Sequence, residues 1–515
     1  MNVTVIGHAG LLIETEFGSI TCDPWFEPAF LGSWFVFPRN DQLAPDLMDR
    51  ITHPRFLYIS HLHGDHLDES FLVEKMSKDV TVLLPGFPTD ELERELRRLG
   101  FTRFEHLPNG EAVDFDGLEV MVCVETAVAD GPQGDSLIVV SDGANRIVNQ
   151  NDCRPHSFDL IAQLGPVDVQ FLQYSGAIWY PMVYEVSPEE MTRLSRLKRE
   201  AQLARAMQYV KLVDARAVVP FAGPPAFLDP DLFAVNDLGN PNSIFPDQTV
   251  FLELLEQASA RGLFTVPGSV VHIAPGAITV THSMSEEEAR WPYEHKADAL
   301  AAYAADWGPW LAAERASWTP PQPDLVGRLA AWWEPLLQSA PHLRAGVGAN
   351  VLIRSGDSDV LIDFPAGEVR AWEGEDHAFR FTIGREVLET VVGRRAVDWS
   401  NALFLSCRFS AWRGGAYNEY VYNFFKSLSP ERMARAEREA AAALQNDPSH
   451  IDEFRCGDFF VDRFCPHRQA DLTTFGEVDG TILTCTLHGW QFDLETGTCL
   501  TSADRAIRSR RADAD

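Results

Sequence analysis

Nowhere do the 515 residues of this chain contain about 18 consecutive apolar residues, the least that spans a bilayer as a helix. No membrane partner is expected. The opening, MNVTVIGHAGLLIET, has no basic leader, apolar stretch and small-residue cleavage site, and it reads as a first strand. Cysteine is scarce: eight residues, four of them after position 450, are too sparse for a disulfide framework and look placed for ligation in a reducing cytoplasm. Positive charge is scarce as well. Lys and Arg total 43 against 75 Asp and Glu, and a formal charge of −32 repels phosphate backbones and anionic lipid. Nucleic acid is therefore excluded as an expected partner. Hydrophobic residues at 45% and charged residues at 23% exclude a disordered or fibrous chain.

The length calls for about three domains. Residues 1–24 read as two strands around Gly18, RFLYIS (55–60) as a buried strand and 88–100 as a helix. Strands follow at 118–126, 135–143, 145–150 and 218–223, with a Ser-capped helix over 187–215. This alternation predicts an α/β domain over 1–295. Pro320, Pro321 and Pro323 interrupt a helical stretch, and the strands NVLIRSG and SDVLIDF with helices near 385–393 and 429–445 form an α+β domain over 296–445. Short strands fill 446–515.

Two motifs carry chemistry. Cys465 and His467 (C-P-H) are separated by seventeen residues from Cys485 and His488 (C-T-L-H), and two Cys with two His in paired loops can hold a zinc ion or a two-iron cluster. Together with FFVDRF before the first loop and HGWQFDLETG after the second, the pattern resembles the Rieske [2Fe–2S] domain. That resemblance implies that Cys465 and Cys485 hold one iron and His467 and His488 the other. The loops lack the extra Cys pair of the respiratory type, which implies an oxygenase-like cluster of lower potential. Cys456 and Cys499 fall outside the motif and read as buried thiols.

The second motif is SHLHGDHLD (60–68), directly after RFLYIS. His61, His63, Asp65 and His66 place four potential ligands within six residues on a loop after a strand, where they can converge on one or two cations. This pattern resembles the metallo-β-lactamase fold, an αββα sandwich, and GHAGLLIETEFGSITCDPW (7–25) is similar to its branch of lactonases and N-acylphosphatidylethanolamine phospholipases. The resemblance implies that Asp152 completes the set as a bridging carboxylate. Two of the usual imidazoles are absent: His106 lies in a turn at the sandwich edge, and Phe221 and Ala222 occupy the place of the last one. What remains is close to the 2-His-1-carboxylate composition that leaves open positions on ferrous iron. His8, Asp130, Asp135 and His156 can complete the shell, but read first as supporting or surface residues.

A Rieske motif and a metallo-β-lactamase motif in one chain resemble the CMP-N-acetylneuraminate hydroxylase family, as do VNQNDCRP (148–155), GAIWYPM (176–182), NDLGNPN (236–242) and a sterol-carrier-like stretch around 391–409. The fold class implied is an αββα sandwich, a sterol-carrier-like α+β domain and a small all-β Rieske domain. The activity implied is oxygen-dependent hydroxylation of a small polar molecule, such as an N-acyl or nucleotide-sugar-like compound. Non-haem iron, as one or two ions, would be the second cofactor, with zinc the alternative. No G-x-G-x-x-G fingerprint occurs, so electrons would come from a separate ferredoxin, cytochrome or flavin reductase. The rival expectation is a metal-dependent hydrolase of the lactonase or phosphodiesterase kind with an accessory Rieske domain. Trp372 and Trp399 can line a pocket or pack a core, and Arg39, Arg154 and Arg455 stand singly in the sequence as anion-binding candidates.

Overall fold

Two sheets face one another across the N-terminal half of the chain. The structure, a computed structural model, describes residues 1–127, 134–176, 178–236, 238, 243–444, 452–467, 469–502 and 505–512. The first sheet contains β1 (Asn2–Gly7), β2 (Gly10–Thr15), β3 (Gly18–Cys22), β4 (Phe56–Tyr58), β5 (Thr81–Leu84) and β6 (Phe104–His106). The second is built from β7 (Ala112–Phe115), β8 (Leu118–Glu125), β9 (Asp135–Ser141), β10 (Arg146–Asn151), β11 (Val169–Gln173) and β12 (Ala217–Phe221). The hairpin of β13 (Val270–Ala274) and β14 (Ala277–Thr281) then extends the first sheet past β1. Residues 1–24 thus form three strands where two were expected. The apolar run 3–14 is broken at His8, whose positive φ of 48° turns the chain and which the hydrophobic pattern alone conceals.

Apolar residues alternate inward from both sheets, with Val5, Leu11 and Ile20 meeting Val120, Ile138, Phe171 and Val219. Leu47, Leu72, Leu92 and Leu96 from helices cover the outer face of the first sheet. The long helix Pro188–Val213, capped by the Ser187 side chain at the Glu190 amide, and the helix Gln248–Gln257 cover the second. The result is the expected αββα order. β3 and β4 are parallel, as are β10, β11 and β12, which gathers their C-terminal ends at one rim.

Helix Lys296–Ser317 lies against this sandwich through Leu300, Tyr303 and Leu311. After the Pro-rich stretch comes a five-stranded sheet of β15 (Asn350–Ser355), β16 (Ser358–Asp363), β17 (Glu368–Ala371), β18 (Phe379–Ile383) and β19 (Phe409–Arg413), packed by helices Leu325–Gln338, Glu419–Lys426 and Pro430–Leu444. Trp399 is core here, 5.2 Å by ring centroids from Trp333 and stacked on Phe425.

Among the described residues, the C-terminal part has six short strands: β20 (Glu453–Cys456), β21 (Phe459–Asp462), β22 (Gly476–Asp479), β23 (Ile482–Cys485), β24 (Trp490–Asp493) and β25 (Ser509–Arg511). They form two three-stranded sheets. This part is wedged between the other two. Gln208 on the long helix donates to the Thr474 carbonyl at 2.7 Å, and Tyr209 meets Phe475 edge-on. On the other side, Tyr417 bridges to Ser502, and Arg505 binds Glu419.

Candidate metal centres

At the rim of the sandwich, four residues in the left-handed region turn the chain as it leaves the strands: His8 (φ 48°), Asp23 (φ 40°), Asn151 (φ 42°) and Ala222 (φ 42°). Each costs a residue with a Cβ roughly 1 kcal/mol. The turns bring together side chains from distant parts of the sequence. His61 Nε2 lies 3.0 Å from His63 Nδ1, and the His61 and His66 rings are 4.1 Å apart. His66 Nε2 is 3.6 Å from Asp152 Oδ2 and 3.9 Å from Asp65 Oδ2. All five residues expected from the motif are therefore side by side.

The structure adds His8. Its Nε2 is 3.1 Å from Asp65 Oδ2, and His8, His66 and Asp152 each offer a ligand atom within 4.8 Å of the other two. From the sequence, His8 is a supporting or surface residue first and a completing ligand second. It instead puts an imidazole where β12 ends without one, and its own carbonyl accepts the Ala222 amide at 3.0 Å. A His in a G-H-A-G turn after an apolar strand is the one signal that could have revealed it.

Outer partners fix the direction of the rings. His8 Nδ1 donates to the Gly223 carbonyl at 3.0 Å, which leaves its Nε2 facing the site. Asp23, fully buried, accepts from the Ser60 amide (2.7 Å), the Ser60 hydroxyl (2.6 Å) and His66 Nδ1 (2.9 Å). Asp135 Oδ1 stands 3.2 Å from His61 Nδ1, the supporting place expected of it. His156 is exposed and paired with Glu125, while His106 is exposed beside Glu93. Asp130 lies outside the described residues.

The electrostatics are those of a site built for a cation. Burial, then the neighbouring His61, holds the His63 imidazole down to about 3. Burial also pushes the Asp65 and Asp152 carboxyls up, yet facing imidazoles, above all His66, keep both below the usual carboxylate value. The His66 imidazole, opposed by burial, is held up by Asp152 and Asp65. His8 Nε2, His63 Nε2, Asp65 Oδ1, His66 Nε2 and Asp152 Oδ1 are buried without a hydrogen-bond partner. Five such atoms in one place would be costly unless a metal ion satisfied them.

The second centre lies in the C-terminal part. Cys465 and Cys485 are fully buried, and the Cys465 thiol beside Cys485 holds the latter below the ordinary thiol value, against burial and with help from the His488 and Leu487 amides. The His467 and His488 rings stand perpendicular, 4.8 Å apart, with both Nδ1 atoms buried. His467 lies flat on Trp490 of the G-W-Q-F turn, at 4.1 Å. A close pair of thiols and a close pair of imidazoles suit a two-iron cluster with unlike ligands. Cys499 is buried as expected, whereas Cys456 is partly exposed at the end of an edge strand. Arg468, in the first loop, lies outside the described residues.

Beside the second centre is a cleft of about 430 Å³. His467, His488 and Glu419 line it together with Glu125, Arg154 and His156. Arg154 follows Asp152 by two residues, at most about 7 Å of chain.

Residues 325–442 match the family described as "Rv3818-like, SCP2-like domain", and residues 452–508 match "Rieske [2Fe-2S] domain". A protein of Mycolicibacterium smegmatis, described as a Rieske 2Fe-2S iron–sulfur protein, is 42% identical over 99% of this chain and 100% of its own length. The cytidine monophosphate-N-acetylneuraminic acid hydroxylase of Xenopus laevis is 26% identical over 43% of this chain. That match spans 38% of the hydroxylase. Among solved structures, CmlA, a diiron β-hydroxylase of Streptomyces venezuelae, aligns with 17% identity and a TM-score of 0.35 over 53% of this chain and 54% of its own.

Proposed function

The chain belongs to the family of Rieske 2Fe-2S iron–sulfur proteins, and on that premise we propose that it is an oxygen-dependent hydroxylase. One observation carries the reading: His467 and His488 of the Rieske part line one cleft with Arg154, two residues along the chain from Asp152. A hydrolytic zinc centre needs no electron supply, whereas inserting one atom of dioxygen into a C–H bond needs two electrons per turnover. The partial match to a hydroxylase supports the same reading.

Cys465, Cys485, His467 and His488 would hold the cluster. His61, His63, Asp65, His66 and Asp152, with His8, would hold non-haem iron as one or two ions. When bound, the cluster supplies single electrons and the iron supplies oxygen activation. The protein's own residues do the rest. Asp23, Asp135 and the Gly223 carbonyl orient the imidazoles, and the buried rim keeps bulk water from the ligand atoms. Glu419 and Trp490 hold His467 toward the cleft. The substrate is a small polar molecule with an N-acyl or similarly activated C–H position, and electrons come from a separate donor protein in the cytoplasm. Residues 1–295 form the catalytic domain, 296–445 the sterol-carrier-like domain and 446–515 the electron-transfer domain.

The test is metal analysis and EPR of protein purified without oxygen, followed by turnover under labelled dioxygen with a surrogate reductase. Iron at both centres and one labelled oxygen atom in the product are expected. Zinc at the N-terminal centre, with equal rates under argon, would establish the hydrolase instead.

A further inference from the structure

In a chain of net charge −32, three cationic side chains meet beside the metal rim. A Cβ on Gly176 would lie 3.5 Å from an Arg154 guanidinium nitrogen, 3.6 Å from one of Arg205 and 2.8 Å from Gln202 Nε2. The two guanidiniums therefore stand within about 7 Å of each other across Gly176. Lys198 joins them from the long helix, where Lys198, Gln202 and Arg205 share one face at i, i+4 and i+7. Burial, then Arg205 and Arg154, holds the Lys198 ammonium down to about 7, the mark of a place short of negative charge.

Among the described residues, no ion pair joins Arg154 or Lys198 to a carboxylate. Glu125, which lines the cleft with Arg154, is already bound by the His156 amide (3.0 Å) and imidazole (2.9 Å). Two further polar atoms await a partner. Ser175 Oγ and Gln202 Oε1 are buried without a hydrogen bond, in residues only 2% exposed. Gly176 leaves the space that any side chain would fill.

The position matters as much as the composition. β10 and β11 run parallel, so Arg154, two residues past Asp152, and Gly176, three past β11, leave the sheet at the same rim as the metal ligands. Arg154 also lines the cleft. Planar guanidiniums grip a planar or tetrahedral oxyanion through paired N–H groups, with an ammonium as a third contact.

We propose that Arg154, Lys198 and Arg205, with Ser175, form an oxyanion pocket that anchors a carboxylate or phosphate group of the substrate beside the N-terminal metal centre. That it is the substrate's group rests on the hydroxylase reading. That an oxyanion binds there does not. The pocket makes the substrate anionic as well as polar, and it gives Arg154 neighbours that the sequence conceals.

The test uses the full chain with its cluster bound. Inorganic phosphate and acetate are titrated by calorimetry at constant ionic strength in chloride, with wild type, Lys198→Met, Arg205→Met and, as a control, Arg455→Met. Saturable binding of phosphate or acetate is expected, weakened about tenfold by either pocket substitution and unchanged by the control. Tighter phosphate binding would identify a phosphate group, and tighter acetate binding a carboxylate. An unaltered visible cluster spectrum certifies each variant's fold. Should a variant not fold, acylation of Lys198 in wild type, followed by mass spectrometry, serves instead, and phosphate or acetate should slow it several-fold. Absence of binding, equal binding by all variants, or acylation indifferent to both anions would overturn the pocket. No turnover enters these measurements, so their failure leaves the hydroxylase reading standing, and failure of hydroxylation leaves the pocket standing.

Discussion

His467 Nε2 stands 3.1 Å from Glu419 Oε2, so a carboxylate of the sterol-carrier-like part touches an imidazole of the Rieske part. Arg505 closes the triangle, bound to Glu419 and donating to the Pro466 carbonyl at 2.7 Å. The charge state of this triangle is felt at the cluster because all three groups are largely buried.

Replacing Glu419 by Gln removes a negative charge and leaves the Arg505 cation, which favours the reduced cluster. The reduction potential should rise by on the order of 50 mV in a redox titration followed by EPR. An unchanged potential would mean that Glu419 only holds the ring in place.

Replacing His8 or Asp152 by Ala should empty the N-terminal centre of iron while the Rieske EPR signal stays intact. Metal analysis per cluster reads this directly. If His8→Ala keeps its full iron content, the imidazole serves only to support Asp65.

Asp23 is spent on outer contacts, holding His66 and Ser60 at three points. Asp23→Asn should weaken iron retention about 10- to 100-fold, the range for lost outer partners of ligating imidazoles. Competition with a chelator measures it.

Lys198 also makes stability depend on pH. Its folded-state value near 7 lies below the ordinary 10.5, so between these values the unfolded chain holds a proton that the folded chain has released, and stability rises with pH. Arg154 and Arg205 are the charges responsible after burial. Urea melts from pH 7 to 9 should show a rise in wild type that Lys198→Met flattens relative to it.

Trp333 is fully buried between Trp399, Phe424 and Phe425. Trp333→Ala should cost about 3–5 kcal/mol of stability in the sterol-carrier-like part, seen as an earlier loss of near-UV circular dichroism in urea.

The sequence revealed the chemistry wherever ligands cluster along the chain. His61 to His66 and the Cys465–His488 loops are local motifs; hydrophobic alternation with a capped helix was enough for an α/β domain, and its αββα order followed from the family resemblance that the His61–His66 motif carries. Residues that act across the fold were concealed. His8 is 57 residues from Asp65, and its turn hides in an apolar run. Glu419 meets His467 only because the C-terminal part docks on a helix 48 residues earlier in the chain. Arg154 looked solitary because its neighbours lie on a helix whose placement over the ends of β10 and β11 no periodicity encodes.

The four left-handed residues of the rim have unequal futures. His8 and Asp23 are held by what their side chains do, and Asn151 by the bond it donates to the Ser136 carbonyl at 3.0 Å. None of them can become glycine without losing a partner. Ala222 is tied only by its backbone and a methyl buried in the core, so glycine there should relax the turn by roughly 1 kcal/mol and lose about as much in methyl burial and unfolded-chain entropy, leaving stability nearly level. At this edge a protein engineer has one tolerant position, and the other three mark where durability is capped by reactivity.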